Sequence, residues 1–192
     1  MTSSPVGANS LPERLGGAPA LDRPELLAPS VAAALEGLAP GLRAGVFVVE
    51  IDPDLADTAA FCARYGVRPE ESANCVVVAG RRGERATLAA CVVLATTRAD
   101  VNGLVRRLLD VRKISFAPMD VAVSASGMEY GGITPIGLPT DWPVFVDSAV
   151  VDAGDVVVGS GVRRSKIVVP GSTLAALPGA TVIEGLGQAV GR

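Results

Sequence analysis

Apolar and polar positions along this chain fall into two periods. Val31, Ala34, Leu35 and Leu38 recur at helical spacing behind Ser30, a good N-cap, and Pro40-Gly41 stops the helix. Residues 44–51 (AGVFVVEI) read as a strand. Asp52-Pro53 opens a second helix, with Asp52 as cap and Pro53 at the first helical position. Its apolar stripe is Leu55, Ala59, Cys62 and Ala63, and Gly66 ends it. Two β-rich runs, 74–79 and 86–96, flank Gly80-Arg81-Arg82-Gly83-Glu84 as a hairpin. Asp100 caps a third helix with the stripe Val101, Leu104, Val105 and Leu108, so Arg106 and Arg107 face water. Residues 113–117 are a short strand, and Pro118 opens a helix closed by Gly127. Strands at 144–146, 156–158 and 166–169, a helix at 172–177 and a strand at 181–183 follow. Helices alternate with strands at first and hairpins dominate later. That order predicts an α+β fold with a mixed, strongly curved sheet and helices outside.

Composition adds boundaries. Residues 1–29 are dominated by Ser, Gly, Ala and Pro, which predicts a flexible arm, although Leu21, Leu26 and Leu27 can lie on the domain. The domain then spans 30–185, with a tail at 186–192. At 192 residues one domain plus a tail is the default, and its core needs no disulfide staples. No apolar run is long enough for a membrane helix, and no secretory signal stands at the N-terminus, so a cytoplasmic setting is expected.

The chain contains no histidine, which removes the commonest general base, the usual Ser-His-Asp and Cys-His arrangements and most zinc sites. Cys62, Cys75 and Cys91 are too few and too spread for a metal site, so neither metal nor cofactor is expected. The formal net charge of −3 excludes a general nucleic-acid binder and gives no reason to expect DNA. Yet residues 1–60 carry three Arg and eight Asp/Glu, whereas residues 61–170 carry thirteen Lys/Arg and eleven Asp/Glu. The basic clusters are Arg81-Arg82-Arg85, Arg106-Arg107-Arg112-Lys113 and Arg163-Arg164-Lys166. Each reads as a solvated face, or as a holder for a small anionic end of a nucleic acid.

The densest chemistry lies at residues 127–137, GMEYGGITPIG, with four glycines and a proline. Such a loop is either an ordinary tight turn or a rigid segment that bares backbone N–H and C=O groups to a ligand. With it go Val144-Phe145-Val146-Asp147 and residues 156–164, VVVGSGVRR. In this order and spacing the chain, from about 30 to 185, resembles the YbaK and prolyl-tRNA-synthetase-associated domains, which are aminoacyl-tRNA editing domains. Gly131 to Pro135 fits that family's G-x-x-x-P loop.

The resemblance implies a mixed, barrel-like sheet wrapped by helices, and a pocket for the aminoacyl-adenosine end of a mischarged tRNA. It implies hydrolysis of the ester, in trans because no synthetase domain is attached. It leaves room for a weak homodimer. Gly131, Gly132, Ile133, Thr134 and Pro135 then form the carbonyl and amino-acid pocket, where backbone N–H groups stabilise the growing charge. Gly159-Ser160-Gly161 with Arg163 becomes a ribose or phosphate holder, or else a plain hairpin turn. Asp147 borders the substrate or shapes its loop by accepting backbone N–H bonds. Typical members carry Lys-Thr where this chain has Asn74-Cys75, and an acidic residue where it has Lys166. Lys166 is therefore a candidate replacement for the lost cation, and its facing depends on strand alternation. The alternatives are a catalytically silent binding protein for a nucleotide-like or small ligand, and a hydrolase using the Cys75 thiol. Trp142 and Tyr130 flank the loop as rim residues or anchors.

Overall fold

The computed structural model describes residues 10–189. Its strands are β1 (Ala18–Pro19), β2 (Phe47–Glu50), β3 (Ala73–Arg82), β4 (Arg85–Leu94), β5 (Thr97–Ala99), β6 (Lys113–Phe116), β7 (Val144–Asp147), β8 (Asp155–Gly159), β9 (Ser165–Pro170), β10 (Ala180–Ile183) and β11 (Gly187–Ala189). The helices are α1 (Leu11–Arg14), α2 (Pro29–Glu36), α3 (Pro40–Arg43), α4 (Thr58–Tyr65), α5 (Arg106–Leu108), α6 (Met119–Ser126), α7 (Ser148–Asp152) and α8 (Gly171–Ala175).

Strands β1-β2-β9-β8 form an antiparallel sheet. A second sheet has the order β10-β7-β4-β3-β6; it is parallel across β10, β7 and β4 and antiparallel across β4, β3 and β6. β11 and β5 make a separate antiparallel pair. The inner faces of the two large sheets share one core, with Val48, Val158, Ile167 and Val169 on one side and Ala90, Val92 and Val146 on the other. Val31 and Leu35 of α2 close it. Each such fully buried aliphatic side chain contributes about 1.5–3 kcal/mol of transfer free energy. The alternate residues of β4, Ala89, Cys91 and Val93, pack beneath Val101, Val105 and Leu109. β4 is thus covered on both faces, which is why it reads as an unbroken apolar run.

The α+β class and the mixed pairing match the expectation, but the single barrel-like sheet does not form. The strands divide into three sheets, none closed or strongly curled. Among the described residues one isolated bridge, Ser72 to Val157, links the backbones beside the two large sheets, and no continuous ladder joins them.

Local chemistry explains the other differences. α2 starts at Pro29 with Ala28 as its N-cap, and the Ser30 hydroxyl finds no hydrogen-bond partner among the described residues. The helix expected from Asp52 splits in two. Asp52 caps a 3-10 turn at Pro53–Leu55, and Asp57 caps α4 by accepting from Ala59 N and Ala60 N. The buried face of α4 is therefore Phe61 and Cys62, with Ala59 and Ala63 exposed. Asp100 caps as expected, but the chain first makes a π turn (Val101–Val105), which buries Leu109 and leaves Leu108 outside. The hairpin strands run to Arg82 and Arg85, leaving only Gly83-Glu84 in the turn.

From Ser10 onward, the stretch expected as a flexible arm packs on the domain through Leu11, Ala20, Leu26 and Leu27. Arg14 of α1 pairs with Glu71 at 2.9 Å. At the other end β11 docks on β5, where a tail was expected, and Gly187 N donates to Asp147 Oδ2 at 2.6 Å. Residues 1–9 and 190–192 of the expected arm and tail lie outside the described residues. No described helix is long and apolar enough to cross a membrane.

Candidate functional site

Strand alternation on β9 decides where its lysine points. Ile167 and Val169 enter the core between the sheets, whereas Val168 packs with Phe61 and Cys62 of α4. Lys166 shares the face of Val168 by the two-residue period. Its ammonium lies 5.9 Å from the Phe61 ring centre and donates to Ala56 O at 2.8 Å and Gly131 O at 3.4 Å. The side chain is 7% exposed, and no carboxylate among the described residues pairs with it. Burial pushes its pKa below the ordinary lysine value, Asp57 and Cys62 oppose that shift, and Arg163 adds to it.

Lys166 forms one wall of a cavity of about 360 Å³ between the sheets, α4 and the glycine loop. Asn74 at the start of β3 lines the same cavity, and its Oδ1 accepts from Thr58 Oγ1 at 2.6 Å. The two sequence-predicted polar residues thus meet in one volume from different sheets.

The glycine loop begins at Gly127, whose φ of +67° ends α6. It is stitched to the turn after β8. Glu129 N donates to Gly161 O at 2.8 Å, Gly161 N donates to Gly132 O at 2.7 Å, and Arg163 N donates to Glu129 Oε2 at 2.6 Å. Gly131 and Ile133 face the cavity, and among the described residues neither N–H has a protein acceptor. Gly132 N is already committed to Glu129 O at 2.9 Å. Thr134 is buried, its hydroxyl without a partner among the described residues, and Pro135 faces a different hollow beside Leu38 and Leu177. Of the five loop residues expected at the pocket, Gly131 and Ile133 line this cavity and Gly132, Thr134 and Pro135 do not.

The second glycine segment divides similarly. Gly159 lines the cavity. Ser160 is buried, its hydroxyl 2.7 Å from Ser165 Oγ and 3.0 Å from the Ser165 O that accepts from it. Gly161 packs on Ala28 and Val31 with φ +86°. Arg163 lines the cavity mouth, donates to Tyr130 O at 3.2 Å and Pro53 O at 2.9 Å, and lies 5.9 Å from the Tyr130 ring centre. Tyr130 is 60% exposed at the rim, whereas Trp142 is buried against Val77 and Ala122. Asp147 is outside the cavity lining; it caps α7 and holds Gly187.

Cys75 lines the cavity, but burial, and less so the Cys91 thiol on the other face of the sheet, raise its thiol pKa far above the usual range, so the thiol stays protonated near neutrality. Asp57, the cap of α4, and Thr58 and Phe61 within it also line the cavity and were not anticipated. The signal that would have found them is Asp57-Thr58 as a second cap-and-start pair five residues after Asp52.

Residues 52–177 match the family model described as the aminoacyl-tRNA editing domain. The chain belongs to the aminoacyl-tRNA editing domain family. Three solved structures share the fold. A scaffold protein used for epitope backbone grafting is 23% identical, with TM-score 0.69, over 84% of this chain and 97% of the other. A candidate trans-editing enzyme for prolyl tRNA synthetase is 23% identical, with TM-score 0.67, over 85% of this chain and 99% of the other. A hypothetical protein is 20% identical, with TM-score 0.65, over 73% of this chain and 90% of the other. No curated protein matches the chain significantly. The family model spans α4, β3, the glycine loop and β9, and so includes every cavity-lining residue described above.

Proposed function

We propose that this editing-family protein is a trans-acting aminoacyl-tRNA deacylase that hydrolyses the ester of a mischarged tRNA in the cavity between Lys166 and Asn74. The observation that carries the reading is the buried Lys166 ammonium, held among the described residues by two backbone carbonyls and facing the cavity. An ammonium without a carboxylate partner is free to meet a ribose oxygen or the negative charge that develops during acyl transfer.

The chemistry asks little of titrating side chains, because an aminoacyl ester is already activated. Water attacks the carbonyl carbon and passes its proton through the neighbouring ribose hydroxyl. The carbonyl oxygen takes the negative charge, the C–O bond to ribose breaks, and the ribose oxygen recovers a proton. The N–H groups of Gly131 and Ile133, which have no acceptor among the described residues, are assigned to that oxyanion. Lys166 is assigned to the ribose or oxyanion, Asn74 to hydrogen bonding through its amide, and Gly159 to close backbone approach. Arg163 is assigned to the 3′-terminal phosphate at the mouth. Gly132, Thr134, Pro135, Ser160 and Gly161 hold these groups in place.

Incubating the purified protein with a panel of mischarged tRNAs under multiple-turnover conditions tests the reading. Release of amino acid in excess of enzyme supports it. A second reading rests on Asn74: the neutral amide leaves a cavity that binds an adenosine-like end without turning it over. Protection of the charged tRNA, with no release from any member of the panel, favours that silent binder and overturns the deacylase.

A further inference from the structure

Asn74 lines the acyl cavity and also a second groove of about 720 Å³ running along β3 beside Val76, Phe116 and Gln188. That groove shares Asn102, Ile114 and Ser115 with a third hollow, whose walls carry Arg81, Arg106, Arg112 and Lys113. Neighbouring depressions thus meet at shared residues, the cavity and the groove at Asn74, and the groove and the third hollow at Asn102, Ile114 and Ser115. From Asn74 to Arg81 the path follows β3 for roughly 23 Å, at about 3.3 Å per residue. Arg81, Arg106, Arg112 and Lys113 are all exposed, and among the described residues none is paired with a carboxylate. Phe116 stands between cavity and cations with 64% of its surface exposed, an uncommon place for a phenyl ring with no packing duty. The acid in the groove, Asp100, is turned to its own backbone, accepting from Gly103 N and Leu104 N at 2.9 Å each.

A positive track with an aromatic platform along it is the arrangement that holds single-stranded nucleic acid, with cations on phosphates and a ring under a base. We propose that this groove seats the unpaired 3′ strand of the RNA whose terminal ester enters the cavity. Phe116 stacks one base, and Arg81, Arg106, Arg112 and Lys113 take phosphates where the strand joins its duplex. The track suits about four to seven nucleotides, depending on how far they are extended. This partner rests on the deacylase reading of the cavity, and it assigns the hairpin and third-helix basic clusters a shared role.

The test is fluorescence anisotropy with an uncharged RNA hairpin ending in an unpaired 3′-CCA strand, against the same hairpin made blunt. The overhang form is expected to bind wild type more tightly. Phe116→Ala should weaken overhang binding by about tenfold and Phe116→Trp should restore it. The Arg106→Gln/Arg112→Gln double variant should lower the slope of log K against log salt by about 1.4. Equal binding of blunt and overhang RNA, unchanged affinity in both variants, or no binding by wild type overturns the groove. Hydrolysis of a 3′-aminoacyl-adenosine, which is too short to reach Phe116, separates the two readings. If wild type and Phe116→Ala cleave it equally while RNA affinities are unchanged, the groove fails and the cavity stands. If RNA binds as expected but neither ester nor charged RNA is cleaved, the deacylase fails and the groove stands.

Discussion

Gly159 lies so close to Gly132 that a Cβ on Gly159 would overlap the Gly132 carbonyl oxygen and stand 2.6 Å from that of Ile133. The end of β8 and the glycine loop therefore approach backbone to backbone, with the cavity on one side of the contact. A Gly159→Ala substitution must push the loop away, because both obstacles are main chain. Overpacking of this kind costs about 1–3 kcal/mol. It also moves the Gly131 and Ile133 N–H groups, and about 1 Å of misplacement can cost 10²-fold in rate. Thermal melting and single-turnover deacylation of the variant should show both losses. A variant with wild-type melting and rate would remove the contact from the mechanism.

Cys75 sits in the cavity wall with a desolvated thiol, and Cys91, on the opposite face of the sheet, has its pKa pushed up to about 12 by burial. The thiolate is the reactive form, so iodoacetamide near neutral pH should modify Cys75 far more slowly than a free cysteine in solution. Intact-mass measurement over time checks this. Cys75→Ala should retain deacylation within about threefold, since the thiol carries no step and a methyl group occupies most of its space. Rapid alkylation accompanied by inactivation would restore the thiol reading.

Glu71 joins the N-terminal segment to the entrance of β3. It accepts from Arg14 at 2.9 Å, from the Arg68 guanidinium at 3.0 Å and from Arg68 N at 3.0 Å, and these bonds hold its carboxyl at about 2. Because the folded pKa lies below the ordinary value of 4.5, the stabilisation is complete above pH 4.5 and fades as pH falls towards 2. Arg68 is largely exposed, so solvent screening reduces the contribution to about 1–2 kcal/mol. Urea unfolding at stepped pH should show Glu71→Gln weaker than wild type at pH 7, with the difference shrinking below pH 4.5. A constant difference down to pH 2 would exclude the ion pair as its source.

Strands were the legible part of this sequence. Val76 to Val78 and Val156 to Val158 are β-branched runs bounded by turn residues, and the structure uses both as strands. The glycine loop was legible as a loop, but not which of its residues face the cavity, since that depends on the bonds between Gly132, Glu129 and Gly161. α4 was misregistered because Asp52 and Asp57 are both competent caps, and only the packing of Phe61 against Val168 selects the second for the helix. The N-terminal segment hid because proline-rich composition does not reveal that Leu11 and Leu26 find tertiary partners. Lys166 could be named from its motif but not oriented. Its facing is a fact about β9 and α4 together.

That orientation gives the sharpest test. Lys166→Met keeps the apolar stem and removes the ammonium, leaving the carbonyls of Ala56 and Gly131 without their donor. Burying a cation without a carboxylate is costly, so the variant should melt at or above the wild-type temperature near neutral pH. If the ammonium stabilises developing charge, deacylation should fall about 10²-fold, the usual cost of deleting one such donor. The pH dependence follows from the lowered lysine pKa. Below that pKa the ammonium is intact and wild type holds its full advantage. As pH rises through it the ammonium is lost, so the gap between wild type and Lys166→Met should close at a pH below the ordinary lysine value of 10.5. Across the same interval the folded state binds fewer protons than the unfolded one, so wild-type stability should rise with pH relative to the variant. Rate profiles corrected for spontaneous ester hydrolysis, paired with melts at each pH, measure both. A stable variant with wild-type rates would show that the cavity works without its cation.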